Sequence, residues 1–187
     1  IIKEGSWELS RDIIFPPGYT IYANGKIKVD ITNNSKILSF SPLKFYGKED
    51  LPIQLYSSDS TGQGIFIINT SAPSTFEWVK FSGLRNLSQK GWSDTGAITL
   101  YESDSKFINC YFENMQAEDC LNIIRSTFEI QNCVFYNNSS DAFDADFSVG
   151  VISDTKFIHS NNDAIDISGS SLNVNNIVID YAGDKGI

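Results

Sequence analysis

The chain has 187 residues, of which 41% are hydrophobic and 20% charged, a composition that is ordinary for a soluble globular protein. Its formal net charge is -9, with 14 basic and 23 acidic residues, so we expect no binding to nucleic acid or to anionic membrane surfaces, which select a basic face. No apolar run approaches the ~18 residues that a membrane span needs, so no membrane insertion is expected.

Residues 1–71 predict short, irregularly spaced strands. The stretch IIFPPGYTIYANGKIKVDI (13–31) contains a Pro-Pro-Gly turn and then apolar residues that alternate with polar ones around Asn24-Gly25. The stretches LKFYGKEDLPIQLYSSD (43–59) and GQGIFIINTS (62–71) have the same character. Alternation with period 2 is typical of strands, and no helical period of 3.6 is found.

Residues 72–187 contain an internal repeat. Four segments align at steps of 23, 22 and 22 residues and read FINCYFENM (from Phe107), IQNCVFYNN (from Ile130), ISDTKFIHS (from Ile152) and VNNIVIDYA (from Val174). Their third position is Asn or Asp, and their sixth is Phe in three segments and Ile in the last. Stacking such turns at the ~4.8 Å strand spacing would bury the Phe column and let each Asn side chain bond the next turn.

We therefore predict an all-β fold, a right-handed parallel β-helix (β-solenoid) with ~22-residue rungs, where a rung is one turn of the coil. The predicted domain is single and spans residues 1–187 in about eight rungs, with irregular N-terminal rungs over 1–71 and regular ones over 72–187. The segment LRNLSQKGWSD (84–94) interrupts the repeat and predicts a loop protruding from one corner.

The Asn column and the repeat spacing over residues 72–187 resemble the pectate-lyase-like superfamily of right-handed parallel β-helices. The resemblance implies a carbohydrate-directed protein, either a polysaccharide lyase or epimerase or a binder of polysaccharide or cell-surface glycan. It also implies an extracellular or cell-surface location and further domains in a longer parent chain, of which these residues are a fragment. The alternative function is a non-catalytic surface adhesin or structural spacer.

Two similar acidic segments lie 22 residues apart, DAFDADF (141–147) and DAIDISG (163–169). On a strand, alternation places Phe143, Ala145 and Phe147 inward and the acids between them outward. Asp119, Asp141 and Asp163 begin their strands. For these three acids the favoured interpretation is capping of backbone N–H groups where the chain enters the strand.

The outward acids within the strands are Asp144, Asp146 and Asp166, and Asn122 precedes Asp144 in its column. Parallel stacking brings neighbouring carboxylates to about 5 Å, which raises a pKa or recruits a cation. The superfamily resemblance implies that these three acids are cation ligands, with Ca²⁺ as the possible cofactor, or catalytic acid–base groups. Two carboxyl groups on adjacent rungs would equally suit glycoside hydrolysis.

The remaining site candidates surround the acids. The resemblance implies a Lys or Arg as the catalytic base of β-elimination, and Lys185 and Arg125 adjoin this face, although Lys185 would equally continue the Asp column as an ion-pair partner. Tyr101, Asn122 and Trp92 are the candidates for substrate binding. The Gly-His-Gly and Arg-Xaa-Lys motifs of polygalacturonases are missing, as is the His that follows the similar "FDAD" strand of mannuronan epimerases.

Overall fold

The computed structural model describes residues 1–89 and 91–187, and these contain strands, turns and bends but no helix. The strands are numbered β1–β24 in chain order. All but two of them belong to three parallel sheets, and the chain visits sheets I, II and III in the same cyclic order on every rung.

Sheet I has eight strands: β1 (Gly5–Leu9), β4 (Ile27–Ile31), β7 (Ile53–Tyr56), β10 (Val79–Ser82), β15 (Tyr111–Glu113), β18 (Val134–Asn138), β21 (Lys156–Ser160) and β24 (Val178–Ala182). Sheet II has seven: β2 (Ile13–Phe15), β5 (Ile37–Ser39), β8 (Ile65–Ile68), β13 (Gly96–Tyr101), β16 (Asp119–Ile124), β19 (Asp141–Asp146) and β22 (Ile165–Ser168). Sheet III has seven: β3 (Ile21–Asn24), β6 (Leu43–Tyr46), β9 (Ser74–Glu77), β14 (Ser105–Ile108), β17 (Thr127–Gln131), β20 (Val149–Ser153) and β23 (Ser171–Asn175).

This arrangement confirms the predicted fold. The three sheets form a parallel β-solenoid of about 8 turns with ~23-residue spacing. The irregular N-terminal stretches supply strands β1–β8 to the same three sheets, so they are built like the regular rungs. The described residues contain no helix long and apolar enough to cross a membrane.

The core is a set of stacked columns, of which the Phe column is the clearest. The rings of Phe112 and Phe135 are 4.4 Å apart and nearly parallel at 4°, and Phe157 continues the stack 4.9 Å from Phe135. All three side chains are fully buried. Like residues stack on like because each rung repeats the last at the strand spacing, and such aromatic pairs add about 0.5–1.5 kcal/mol to the gain from burial.

The predicted Asn column turns the corner between sheets III and I. Asn109, Asn132, Asp154 and Asn176 all have left-handed backbone, with φ of 55°, 51°, 51° and 49°. Asn132 Nδ2 donates to Asn109 Oδ1 at 2.6 Å, and Asn176 Nδ2 donates to Asp154 Oδ1 at 2.6 Å. Asn and Asp occupy this corner because they tolerate φ > 0 and because their side chains bond the neighbouring rung.

The prediction that Phe147 points inward is wrong. Its side chain is 65% exposed and its φ is 50°. Strand β19 ends at Asp146, and the next residue turns the corner between sheets II and III in the left-handed conformation. Alternation assigns faces only while the backbone stays extended, so it fails at the first corner residue. Phe143 and Ala145, within the strand, are fully buried as predicted.

The 84–94 segment contains a short antiparallel hairpin, β11 (Ser88–Gln89) and β12 (Trp92–Ser93). It folds back onto the outer side of sheet II, where the Trp92 ring lies 5.3 Å from the ring of Phe66. The predicted loop therefore covers one part of this sheet, at rungs β8 and β13.

Candidate functional site

The outer face of sheet II carries the predicted acids in two adjacent columns. One column runs Thr99, Asn122, Asp144, Asp166 through strands β13, β16, β19 and β22. The neighbouring column runs Tyr101, Ile124, Asp146, Ser168 through the same strands. The backbone register therefore places Asp144 next to Asp166 on the following strand, as the repeat predicted.

The first column passes beneath the hairpin segment. Thr99 and Asn122 point outward, yet they are 0% and 2% exposed. Thr99 donates its hydroxyl hydrogen bond to Asp94 Oδ2, and Asn122 Nδ2 donates to Thr95 Oγ1 at 3.2 Å. The end of the hairpin segment thus closes over this end of the column, while Asp144 and Asp166 remain half-buried beyond it.

Asn122 links the covered residues to the acids. Its Nδ2 also donates to Asp119 Oδ2 at 3.0 Å. Its Oδ1 is buried and has no hydrogen-bond partner among residues 1–89 and 91–187. An unsatisfied buried acceptor costs roughly 1–3 kcal/mol, so this oxygen is a place where a hydrogen-bond donor would be stabilising.

The pKa of Asp144 is raised to about 8, first because the group is removed from water and then because Asp119, Asp146, Asp166 and Asp141 repel its charged form. Burial also raises the pKa of Asp119 to about 6, although hydrogen bonds from Thr95 and Asn122 oppose the rise. A carboxyl group with a pKa near 8 is protonated at neutral pH and has an O–H to donate.

Two further carboxyl groups of this face have a raised pKa. Burial of Asp94, at the end of the hairpin segment, raises its pKa, and the hydrogen bond from Thr99 opposes this. Burial and the charge of Asp166 raise the pKa of Asp146. Four carboxyl groups of this face therefore have a raised pKa, and Asp144 is the central one.

The acids that begin the strands have a different role. Asp141 Oδ1 accepts a hydrogen bond from the Asp163 N–H at 2.9 Å, and Asp163 Oδ1 accepts one from the Lys185 N–H at 2.7 Å. This confirms the capping interpretation for Asp141 and Asp163, whereas Asp119 accepts its bond from the side chain of Asn122.

Lys185 belongs to this capping column. Its ammonium group lies 3.4 Å from Asp163 Oδ2 and 3.1 Å from Asp184 Oδ2. These two carboxylates raise the pKa of Lys185 and hold its charge. The structure thus places Lys185 as the ion-pair partner that continues the Asp column.

Arg125 and Tyr101 form a pair at the corner beside the second column. Arg125 Nη1 donates to Tyr101 Oη at 2.8 Å, and the guanidinium carbon lies 5.8 Å from the ring centroid. Glu102 is 3.8 Å from the same nitrogen. The backbone N–H of Arg125 donates to the Asp146 carbonyl at 2.8 Å, so the pair lies one rung from the acids.

Phe147 is a site residue that alternation missed. It follows Asp146 directly and exposes its ring, which packs over Gly169 so closely that a Cβ there would lie 2.8 Å from it. The equivalent corner residues on the neighbouring rungs are Asn69, Glu102, Arg125 and Gly169, all of positive φ. Phe147 is the one apolar residue among these polar residues and glycine, and this difference could have identified it from the sequence.

Asp94 is the second missed residue. It lies in the segment that interrupts the repeat, and no other rung has a counterpart for it. The signal available in the sequence was its place just before GAITLY, the strand that follows the insertion.

The acids do not form a recognisable metal centre as they are placed. Among residues 1–89 and 91–187, no group of three or more His, Cys, Asp or Glu side chains is arranged to hold a metal ion. Asp166 Oδ1 accepts a hydrogen bond from the Ile167 N–H at 2.7 Å, which engages one of the oxygens in question. Calcium at this face stays a prediction, and no chemical step below is derived through it.

Comparison with known proteins adds no family to this description. No protein-family model, no curated protein and no solved structure matches the chain.

Proposed function

We propose that the outer face of sheet II binds a polysaccharide and that Asp144 acts there as a general acid, with Asp166 as its partner carboxyl group. The observation that carries the proposal is the environment of Asp144, whose pKa is raised to about 8 by burial and by the surrounding acids. A group that keeps its proton at neutral pH and lies next to a second carboxyl group can act as a general acid in catalysis.

Hydrolysis of a glycosidic bond needs two carboxyl groups. One donates a proton to the leaving oxygen, and the other attacks the anomeric carbon or activates a water molecule. Asp144 and Asp166 are register partners on adjacent strands, which are ~4.8 Å apart. Retaining glycosidases hold their two carboxyl groups about 5–5.5 Å apart, and side chains that project from adjacent strands are compatible with such a separation.

In that reaction the Asp144 proton passes to the glycosidic oxygen as the bond to the anomeric carbon breaks. Asp166 forms an ester with that carbon. Water then cleaves the ester, and its proton returns to Asp144. The lyase and epimerase activities that the superfamily resemblance implies are less favoured. Their catalytic base is a Lys or Arg, whereas Lys185 is paired with Asp163 and Asp184 and Arg125 with Tyr101.

Aromatic groups lie beside the acid columns at two places. Phe147 is exposed at the corner after Asp146, and Trp92 is 44% exposed on the hairpin near Thr99. Aromatic rings present a flat apolar surface to the C–H face of a sugar ring. A glycan lying on this face would thus contact the acids with Trp92 near one end of the columns and Phe147 at their side. An extracellular or cell-surface location is part of the proposal.

The test is release of reducing ends from soluble xylan, mannan, β-glucan and polygalacturonate by the wild type, Asp144→Asn and Asp166→Asn. We expect cleavage of one of these by the wild type and a loss of roughly 10²-fold or more in each variant. Asp180→Asn, an exposed acid on β24, is the matched control and should retain activity.

The same assay distinguishes the other functions. An unsaturated product would show that the reaction is β-elimination and not hydrolysis. Cleavage that requires added calcium would support the predicted calcium site at these acids. Binding without cleavage would favour the non-catalytic adhesin or spacer, for which the capping bonds of Asp141 and Asp163 are the supporting observation.

A further inference from the structure

A second groove lies at the corner between sheets III and I, away from the acid face of sheet II. It has a volume of about 260 Å³, and its lining includes Glu49, Trp78, Tyr111, Asn132, Asp154 and Lys156. Trp78, Asn132 and Asp154 belong to the corner column, and Tyr111 and Lys156 to the first outward column of sheet I.

Trp78 occupies a corner position that the four following rungs give to Asn or Asp and the two preceding rungs to Gly. Its φ is 52°, and its N–H donates to the Ile108 carbonyl just as the Asn109 N–H donates to that of Gln131. A bulky residue in the left-handed region is an outlier, and an indole cannot join the ladder of side-chain bonds. This rung therefore lacks the stabilising side-chain bond of the corner column, and such local losses of stability are found at ligand sites.

The polar groups of the groove have bonding capacity left over. Asn132 uses its Nδ2 for Asn109, and Asp154 uses its Oδ1 for Asn176. Asn132 Oδ1 and Asp154 Oδ2 belong to exposed side chains and accept no hydrogen bond from a protein group within residues 1–89 and 91–187. In the same part of the chain, Glu49 and Lys156 have no ion-pair partner.

We propose that this groove binds a single pyranose ring of a neutral glycan. The aromatic side chains of Trp78 and Tyr111 offer an apolar surface to the ring, and Tyr111 is 43% exposed. The free acceptor oxygens on neighbouring rungs, ~4.8 Å apart, accept hydrogen bonds from hydroxyl groups on one sugar.

Charge and size favour a neutral sugar over the alternatives. Glu49 and Asp154 outnumber Lys156, so a uronate would be repelled. The groove, at about 260 Å³, is smaller than the roughly 300–1,000 Å³ pockets of drug-sized ligands, which favours a ligand as small as one ring over a folded peptide. The inference stands independently of catalysis at Asp144, because it uses another corner of the solenoid.

The experiment is an amide and indole ¹H–¹⁵N NMR titration of the full chain with cellopentaose, mannopentaose and maltopentaose. The chain has three Trp residues, and they report on three places: Trp7 on β1, Trp78 in the groove and Trp92 on the hairpin. The Trp78 indole signal is assigned by its loss in Trp78→Asn, which restores the usual corner residue and should fold.

We expect saturable movement of the Trp78 signal with one pentasaccharide. Affinity should fall roughly fivefold or more in Trp78→Asn and Tyr111→Ser, with no change in Tyr136→Ser, an exposed Tyr of sheet I outside the groove. Movement of the Trp92 signal alone would overturn this inference while supporting the acid face as the glycan site. No movement of Trp78 with any of the three sugars would also overturn it, as would movement with a decaproline peptide instead.

Discussion

Asn122 and Asp144 are register partners in one outward column of sheet II, and the buried Oδ1 of Asn122 has no hydrogen-bond partner among residues 1–89 and 91–187. Asp144 is the carboxyl group with its pKa raised to about 8. Protonation of Asp144 removes a charge from a half-buried site, in the rung next to an acceptor that lacks a partner.

The first prediction concerns the pH dependence of stability. The native state raises the pKa of Asp144 from 3.8 to about 8, so it keeps a proton that the unfolded chain releases. This contribution to the free energy of unfolding is complete below about pH 4 and is lost as pH rises to about 8. Asp144→Asn removes the ionisable group and keeps the size of the side chain. Thermal unfolding between pH 4 and 9 should show a smaller loss of Tm in this variant than in the wild type.

Asp119, with its pKa raised to about 6, contributes in the same direction over the lower half of that window and remains in the variant. The exposed control Asp180→Asn should follow the wild-type curve. Parallel curves for the wild type and Asp144→Asn would show that Asp144 is ionised throughout, and the proposed general acid would be lost with it.

The second prediction concerns Asn122→Ala. The variant removes the donor to Thr95 and Asp119, so it should lower the free energy of unfolding by about 1–3 kcal/mol. Because a hydrogen bond to the charged form of Asp119 is lost, the pKa of Asp119 should rise further. Denaturant titration measures the first effect, and carboxyl NMR titration measures the second.

The matched control is Asn175→Ala on β23, where the Asn175 side chain bonds Asn173 on the exposed surface. It should change stability by no more than about 0.5 kcal/mol. Equal losses in the two variants would mean that Asn122 has no special role in the covered network.

The third prediction tests the corner ladder with two substitutions at Asn132. Both remove the side-chain bond to Asn109, but only Ala must also hold a φ of 51° with a Cβ. We expect Asn132→Gly to cost about 1 kcal/mol, and Asn132→Ala to cost roughly 1–2 kcal/mol more. Denaturant unfolding of the two proteins measures the difference, and equal stability would show that the left-handed backbone is unimportant there.

The period of the sequence was sufficient to predict those parts of the fold that repeat. Phe112, Phe135 and Phe157 lie 22 or 23 residues apart, and stacking at that period requires their rings to meet. The Asn corner was predictable for the same reason. The row of Asp144 and Asp166 followed from register alone.

The environment of the acids was not predictable in this way. The hairpin that buries Thr99 and Asn122 comes from an insertion, which no other rung explains by analogy. The exposure of Phe147 depends on which residue turns the corner, and alternation carries no information about that. Burial, which is the first cause of the raised pKa of Asp144, arises only in the folded chain.

The fourth prediction separates binding from stability at Phe147. The side chain is 65% exposed and its backbone is left-handed, so Phe147→Asn relieves strain of about 1 kcal/mol and loses little buried surface. Stability should be equal to or higher than that of the wild type in denaturant unfolding. Since Phe147 is proposed to stack on the glycan, kcat/KM or affinity for the polysaccharide should fall about two- to tenfold.

Val149→Asn is the control, because Val149 is 59% exposed on sheet III, two residues from Phe147 and away from the acid columns. Its glycan affinity should be that of the wild type. Loss of stability by more than about 1 kcal/mol in Phe147→Asn would show that the ring packs as a structural cap over Gly169. Unchanged affinity would remove Phe147 from the glycan-binding surface, and the acids would then have to hold the sugar without an aromatic group at this corner.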